Sequence, residues 1–175
     1  MEGMFMNCKK ITSLNLSNLD FSFTYEINNI FSGCENLKFL NLSNFTDSHI
    51  TNFSFIFHDC INLEIIDLTN FKGSTFQNRM DYMFDKCEKL SSIALPNLDL
   101  SMTTKIDYMF NGDISLKKVI INNSNNPNIV SDYSYMFNDC YNLESIDLSN
   151  FKSSIKNNME YLFNNCYNLI SINLN

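Results

Sequence analysis

Clustered cations, long apolar runs and paired cysteines are all missing from this 175-residue chain. Arg79 is the only arginine, and the lysines fall as scattered pairs such as Lys9-Lys10 and Lys117-Lys118. With a formal net charge of −7, nothing here suits a phosphate backbone, which excludes nucleic acid as the expected partner. No uninterrupted apolar run is long enough for a transmembrane segment. No basic region followed by an apolar run is visible before Met1-Glu2-Gly3-Met4-Phe5, which already lies inside the repeat described below. Two compartments follow as expectations: the cell interior, or the cell surface if this is a piece of a longer exported chain. Ala94 is the sole alanine, and Val119 and Val130 are the only valines. That bias suits an AT-rich genome and carries little functional weight. Hydrophobic residues make up 45%, enough for a core, and no stretch reads as a linker, so residues 1–175 are expected to form a single solenoid domain.

What the sequence does have is a repeat. Cys8, Cys34, Cys60, Cys87, Asp113, Cys140 and Cys166 recur at intervals of 26 or 27 residues. Three residues before each stands a phenylalanine: Phe5, Phe31, Phe57, Phe84, Phe110, Phe137 and Phe163. Three residues after comes Ile11, Leu37, Leu63, Leu90, Leu116, Leu143 or Leu169. In the copy from Met80 to Leu98, the residues Met80, Met83, Phe84 and Cys87 fall at i, i+3, i+4 and i+7, which predicts a short helix. Leu90-x-x-Ile93-x-Leu95 then ends in the alternation of a short strand. A unit this small cannot bury both of its faces, so its copies must stack. The pattern predicts an α/β solenoid of about seven coils, with a short parallel sheet on one side and short helices on the other. Asn18, Asn44, Asn70, Asn97, Asn123 and Asn150 recur two residues past the strand, where an amide can bond the backbone of a bend. The loop Asn122 to Pro127 is the most irregular connection, and weaker stacking is expected there.

Met83-Phe84-x-x-Cys87-x-x-Leu90-x-x-Ile93-x-Leu95-x-Asn97-Leu98 resembles the 26-residue leucine-rich-repeat-like unit of BspA-like bacterial surface proteins, also found in lipoprotein-associated repeats of mycoplasmas and listeriae. Leu42-Ser43-Asn44-Phe45 and Leu148-Ser149-Asn150-Phe151 match its LSNF signature best. The resemblance covers every copy. It implies a right-handed leucine-rich-repeat solenoid and a role in adhesion or protein binding. The chain departs from the pattern at Asp113, in place of Cys, and at Ser124, in place of Phe.

The chemistry open to these residues is narrow. All six cysteines share one slot, so their side chains should point in parallel into the core, whereas a disulfide needs converging Cβ atoms about 3.8 Å apart. No C-x-x-C pair offers metal ligands. Asp113 is either a buried carboxylate with a raised pKa or one turned toward backbone NH groups near Gly112 or toward Lys117. His58 and His49 read as solvated side chains, since neighbours such as His58 and Cys60 do not share a helix face. Asp67 and Asp147 are the carboxylates of an outward column three coils apart, roughly 14 Å at about 4.8 Å per strand. Glycosidase pairs need about 5–9.5 Å. No enzyme, catalytic residue, cofactor or metal is therefore expected.

The expected interaction surface has two parts. On the sheet face, Phe39 and Ile65 are adjacent apolar residues on a polar field, with Asp67 beside them and Ile120 further along. On the other side, Phe55, Tyr82, Tyr108, Tyr135 and Tyr161 occupy one slot and either stack on one another or form a recognition stripe. The expected function is binding of a protein or cell-surface ligand. The alternatives are a structural spacer or stalk and an intracellular protein-interaction scaffold. The uncapped terminal repeats add end-to-end self-association as an expectation.

Overall fold

The computed structural model describes residues 1–16, 19–43, 45, 49–121, 130–149 and 157–173. Asn18, Asn44, Asn123, Asn150, Ser124, Phe151 and the loop from Asn122 to Pro127 lie outside them. Each copy places a short strand where the sequence alternates: β1 (Ser13–Leu14), β2 (Phe39–Asn41) and β3 (Ile65–Asp67) pair in parallel, in that order. In a second parallel sheet, β5 (Ser92–Leu95) pairs with β7 (Lys118–Ile121), and β8 (Ser145–Asp147) and β9 (Ser171–Asn173) follow. Exposure alternates along β5 and β7, with Ile93, Leu95, Val119 and Ile121 pointing inward. Another corner carries β4 (Asn78–Arg79) paired with β6 (Thr103–Lys105). That corner ladder runs through Glu26, Asn52, Arg79, Lys105, Asp132 and Asn158.

The result is a parallel β-solenoid of about five turns with no α-helix among the described residues, which corrects the expectation of seven coils with short helices. The corner ladder shows why the turns are fewer than the copies. From Glu26 to Asn158 it closes five steps, while the first and last copies add layers that are stacked on one side only.

The segments that read as helical are stacks of tight turns. In the copy at Met80 to Cys87, the four predicted residues are indeed buried, each at most 1% exposed. Their backbone, however, turns left-handed twice: at Tyr82 (φ 57°) and at Lys86 (φ 61°). Phe55 and Asp59 do the same one copy earlier, and Tyr135 and Asp139 two copies later. A left-handed residue ends an α-helix, because its Cβ crowds the following carbonyl. Every second N–H also leaves the turn and donates to the next coil: Tyr82 to Asp107 O (3.0 Å), Phe84 to Met109 O (2.9 Å) and Lys86 to Asn111 O (2.7 Å). Intervening groups close i to i+3 bonds, such as Cys87 N–H to Phe84 O at 3.0 Å. Apolar spacing of i, i+3, i+4 and i+7 fits this geometry as well as a helix.

The core is a set of ladders. Phe5, Phe31, Phe57, Phe84, Phe110, Phe137 and Phe163 stack nearly parallel with centroids 5.2–5.7 Å apart. The cysteines are all free; Cys34, Cys60, Cys87 and Cys140 are buried, and Cys8 and Cys166 are half-buried. Each thiol from the second copy onward donates to a phenylalanine carbonyl one coil back, as Cys60 Sγ does to Phe31 O at 3.2 Å and Cys140 Sγ to Phe110 O at 3.1 Å. Asn97 Nδ2 donates to Thr69 O at 2.6 Å, and Asn70 Nδ2 to Ser43 O, so these two amides bond the bend as their slot predicts.

Pairing weakens where a copy is one residue longer. Strands 26 residues apart keep two to four register partners, whereas β7 and β8, 27 apart, keep only Lys118–Ser145. β3 and β5, also 27 apart, belong to separate sheets. The extra residue shifts the strand relative to its neighbour, and the ladder loses its fit there.

Candidate binding face

Phe39 and Ile65 come together as register partners on β2 and β3, and they stand 45% and 60% exposed. The strand geometry forces this, since both lie at outward positions flanked by inward Leu40 and Ile66. Beside Phe39 a shallow groove of about 310 Å³ runs between Leu14, Asn15, Leu19, Asn41 and Phe45. Asp67 lies opposite Asn41 and is half-buried. Its Oδ1 accepts the Thr69 N–H at 3.1 Å, as Asn41 does for Ser43 (2.8 Å) and Asp147 for Ser149 (2.9 Å). This column therefore ties down the turns that follow the strands. Hydrogen bonds from Ser149 also hold the Asp147 carboxyl below the usual carboxylate range. Ile120 is 39% exposed, but on β7, opposite Ala94 and in the other sheet, beside its own groove of about 320 Å³ with Lys118 and Asp147. The structure unites Phe39, Ile65 and Asp67 and leaves Ile120 across the seam.

Tyr82, Tyr108, Tyr135 and Tyr161 stack in one column, continuing from Phe55, with centroids 4.5–4.8 Å apart. All five have φ between 54° and 60°, a conformation disfavoured for bulky side chains. Ring stacking, about 0.5–1.5 kcal/mol per pair, offsets a backbone cost of about 1–2 kcal/mol per residue. Burial, followed by the neighbouring Tyr108 and Asp107, pushes the Tyr82 hydroxyl up to about 12.

His58 is not the solvated side chain the sequence suggests. Its Nδ1 lies 2.7 Å from Asp85 Oδ2, though not aligned as a hydrogen bond, and its Nε2 lies 3.2 Å from Asp59 Oδ2. It heads a polar ladder in which Asn111 donates to Asp85, Asn138 to Asn111 and Asn164 to Asn138, each at 2.6 Å. His49 is exposed, and its ring centroid lies 6.1 Å from that of Phe76. Asp113 is fully buried, and its Oδ1 accepts the Cys87 N–H of the previous coil at 2.8 Å rather than turning to Gly112 or Lys117. Burial raises its pKa well above the carboxylate range. Among the described residues, no cluster of His, Cys, Asp and Glu has the geometry to hold a metal ion. Sequence reasoning missed Asp81 and Asp107, buried carboxylates in successive turns; reading the slot just before each tyrosine would have shown them.

The family described as "Mycoplasma protein of unknown function, DUF285" matches residues 1–94 and again residues 78–174. The chain belongs to this family. Like other leucine-rich-repeat folds, this DUF285 chain is similar to solved bacterial proteins. One is a leucine-rich repeat protein from Bacteroides ovatus, 21% identical, with a TM-score of 0.59 over 98% of this chain and 39% of that one. Another is the T. pallidum leucine-rich repeat protein, 22% identical, with a TM-score of 0.55 over 93% of this chain and 68% of that one. The chain thus spans about two-fifths of the Bacteroides protein's length. No curated protein matches it. At these identities the likeness establishes the fold, and it agrees with the BspA-like resemblance read from the repeats. Among the described residues no helix is long and apolar enough to cross a membrane.

Proposed function

We propose that residues 1–175 form one non-enzymatic binding domain, an adhesion or protein-recognition module of a leucine-rich-repeat surface protein. Its contact site is the sheet face around Phe39 and Ile65, with Asp67 at its edge. The supporting observation is the pairing of two large apolar side chains, exposed side by side and next to a groove, on a face whose other outward residues are mostly small or polar. The rival reading, a spacer without a ligand of its own, draws support from the axial phenylalanine and tyrosine ladders, which stiffen the array regardless of what it touches. One comparison separates the two. The native chain and a Phe39→Ser/Ile65→Ser variant are immobilised and offered to intact cells and to purified matrix proteins, with the fold of both checked by circular dichroism. A binding module loses at least tenfold in retained ligand on substitution, with its spectrum unchanged. Equal retention by the two chains would remove the sheet face from consideration.

A further inference from the structure

Three residues ahead of the first four members of the corner ladder stand Phe23, His49, Phe76 and Met102, one on each of four successive turns. All four are exposed, Phe23 at 88% and Phe76 at 50%, and Tyr25 next to Phe23 is 61% exposed. The residue that follows is buried on three of these turns (Thr24, Ile50 and Thr103), so the corner holds the larger apolar side chain outward. The rings of His49 and Phe76 lie 6.1 Å apart across neighbouring turns. A register shift between β4 and β6 displaces the fourth turn, and the Met102 carbonyl there accepts the Asn78 N–H at 2.9 Å. The result is an exposed apolar stripe along one edge of the solenoid. The ladder beside it is polarised. It reads Glu26, Asn52, Arg79 and Lys105, acidic on the first turn and basic on the fourth. Glu26 is exposed and Lys105 half-buried, while Arg79 on the third turn is already held by Asp81 through two bonds of 2.9 and 2.8 Å.

We propose that two copies of the chain meet along this stripe, related by a two-fold axis that is perpendicular to the stack and passes between the turns of His49 and Phe76. An antiparallel alignment that uses all four apolar residues has a single register: Phe23 against Met102 of the other copy, and His49 against Phe76. Ring-to-sulfur and ring-to-ring contacts result. The same register sets Glu26 opposite Lys105 of the other copy, twice over, so charge agrees with a register chosen on apolar grounds alone. A parallel alignment sets Glu26 against Glu26 and Lys105 against Lys105 instead. The net charge of −7 opposes contact between most faces of two copies, which favours an alignment that brings opposite charges together. Four turns span about 14 Å at about 4.8 Å per strand. That is a small patch beside the roughly 800 Å² per partner of a stable complex, so the dimer is reversible. The corner ladder is separate from the sheet that carries Phe39 and Ile65, and the two sites stand or fall independently.

Sedimentation velocity over a hundredfold range of concentration tests this, with the fold of each chain checked by circular dichroism. The native chain is expected to pass from monomer to dimer and no further. Phe23→Ser/Phe76→Ser and Glu26→Lys, all at exposed positions, should each weaken dimerisation at least tenfold, whereas Phe39→Ser/Ile65→Ser should leave it unchanged. Lys105→Glu should weaken it as Glu26→Lys does. The deciding sample is an equimolar mixture of the Glu26→Lys and Lys105→Glu chains. In the mixed pair both crossed contacts join opposite charges, so the mixture should dimerise about as tightly as the native chain although neither variant does so alone. A native chain that stays monomeric at every concentration overturns the proposal, and retention of that monomer on phosphatidylcholine vesicles reassigns the stripe to a lipid surface. Undiminished dimerisation by Phe23→Ser/Phe76→Ser or by Glu26→Lys also overturns it, and neither readout depends on how Lys105→Glu folds. A mixture of two folded variants that associates no more tightly than its components overturns the antiparallel register.

Discussion

Asp113 occupies a slot that elsewhere holds a thiol, and the difference is energetic. A cysteine there donates to a phenylalanine carbonyl one coil back, whereas Asp113 accepts an N–H on one oxygen and leaves Oδ2 buried without a partner. An unsatisfied buried polar atom costs about 1–3 kcal/mol, so Asp113→Cys is expected to raise the unfolding free energy at pH 7 by about that much. The pH dependence follows from the raised pKa. Below the unfolded value near 3.8, both states hold the proton and the group carries no penalty. As pH rises, the unfolded chain releases its proton first, and stability falls until pH passes the higher folded value. Denaturant titrations from pH 3 to 8 should show this loss in the native chain and a flatter profile in both Asp113→Cys and Asp113→Asn. Parallel profiles would show that Asp113 is not the source. The thiols give a second residue-scale test. Burial pushes Cys34 and Cys166 up to about 11 and Cys60, Cys87 and Cys140 further still. In the folded chain a thiol reagent should label Cys8 first and Cys166 next, while the four buried thiols should react only in denaturant.

At the scale of the element, the turn stack replaces the helix and takes its stability from its neighbours above and below. Tyr108 shows how backbone strain and stacking oppose each other: φ is 57°, and the ring stacks on Tyr82 and Tyr135 at 4.5 Å each. Tyr108→Ala should lose the stacking yet keep the left-handed strain, a destabilisation of about 1–3 kcal/mol. Tyr108→Gly should recover about 1 kcal/mol of it, because glycine adopts this conformation freely. Alanine proving as stable as glycine would remove strain from the account. In the core, Phe84→Ala should cost about 3–5 kcal/mol, because its ring stacks on both Phe57 and Phe110 and collapse from either side would break a ladder.

For the whole molecule, stability in a stacked array is close to a sum of turn and interface terms, so the weakest interface sets where it opens. The seam between β3 and β5 lacks strand pairing, although the turn-stack ladder crosses it through Phe55 N–H to Asp81 O, Phe57 N–H to Met83 O and Asp59 N–H to Asp85 O. Hydrogen exchange should therefore find backbone amides of β3 and of Ser92–Ile93 less protected than those of Val119–Ile121. Uniform protection across the two sheets would mean that the turn stacks alone carry the cooperativity.

Repetition made much of this legible in advance. Which apolar residues are buried, where the Leu-x-x-Ile-x-Leu strand of each copy falls, and that the copies stack all follow from the period of 26 or 27 and from apolar slots kept in phase, because burial is a one-dimensional pattern along a solenoid; the corner strands β4 and β6 fall in what read as connections. The pairing of Phe39 with Ile65 was readable for the same reason: two outward positions one period apart must be neighbours. The backbone of the remaining half of each copy was not readable. Spacing of i, i+3, i+4 and i+7 specifies a buried face without specifying the dihedrals behind it, and hydrogen bonds between coils, absent from any single copy, drew alternate N–H groups out of the helix. The same holds for His58 beside Asp85 and for the seam that isolates Ile120. Each depends on what the adjacent turn places a few ångströms away, a relation only the assembled stack decides.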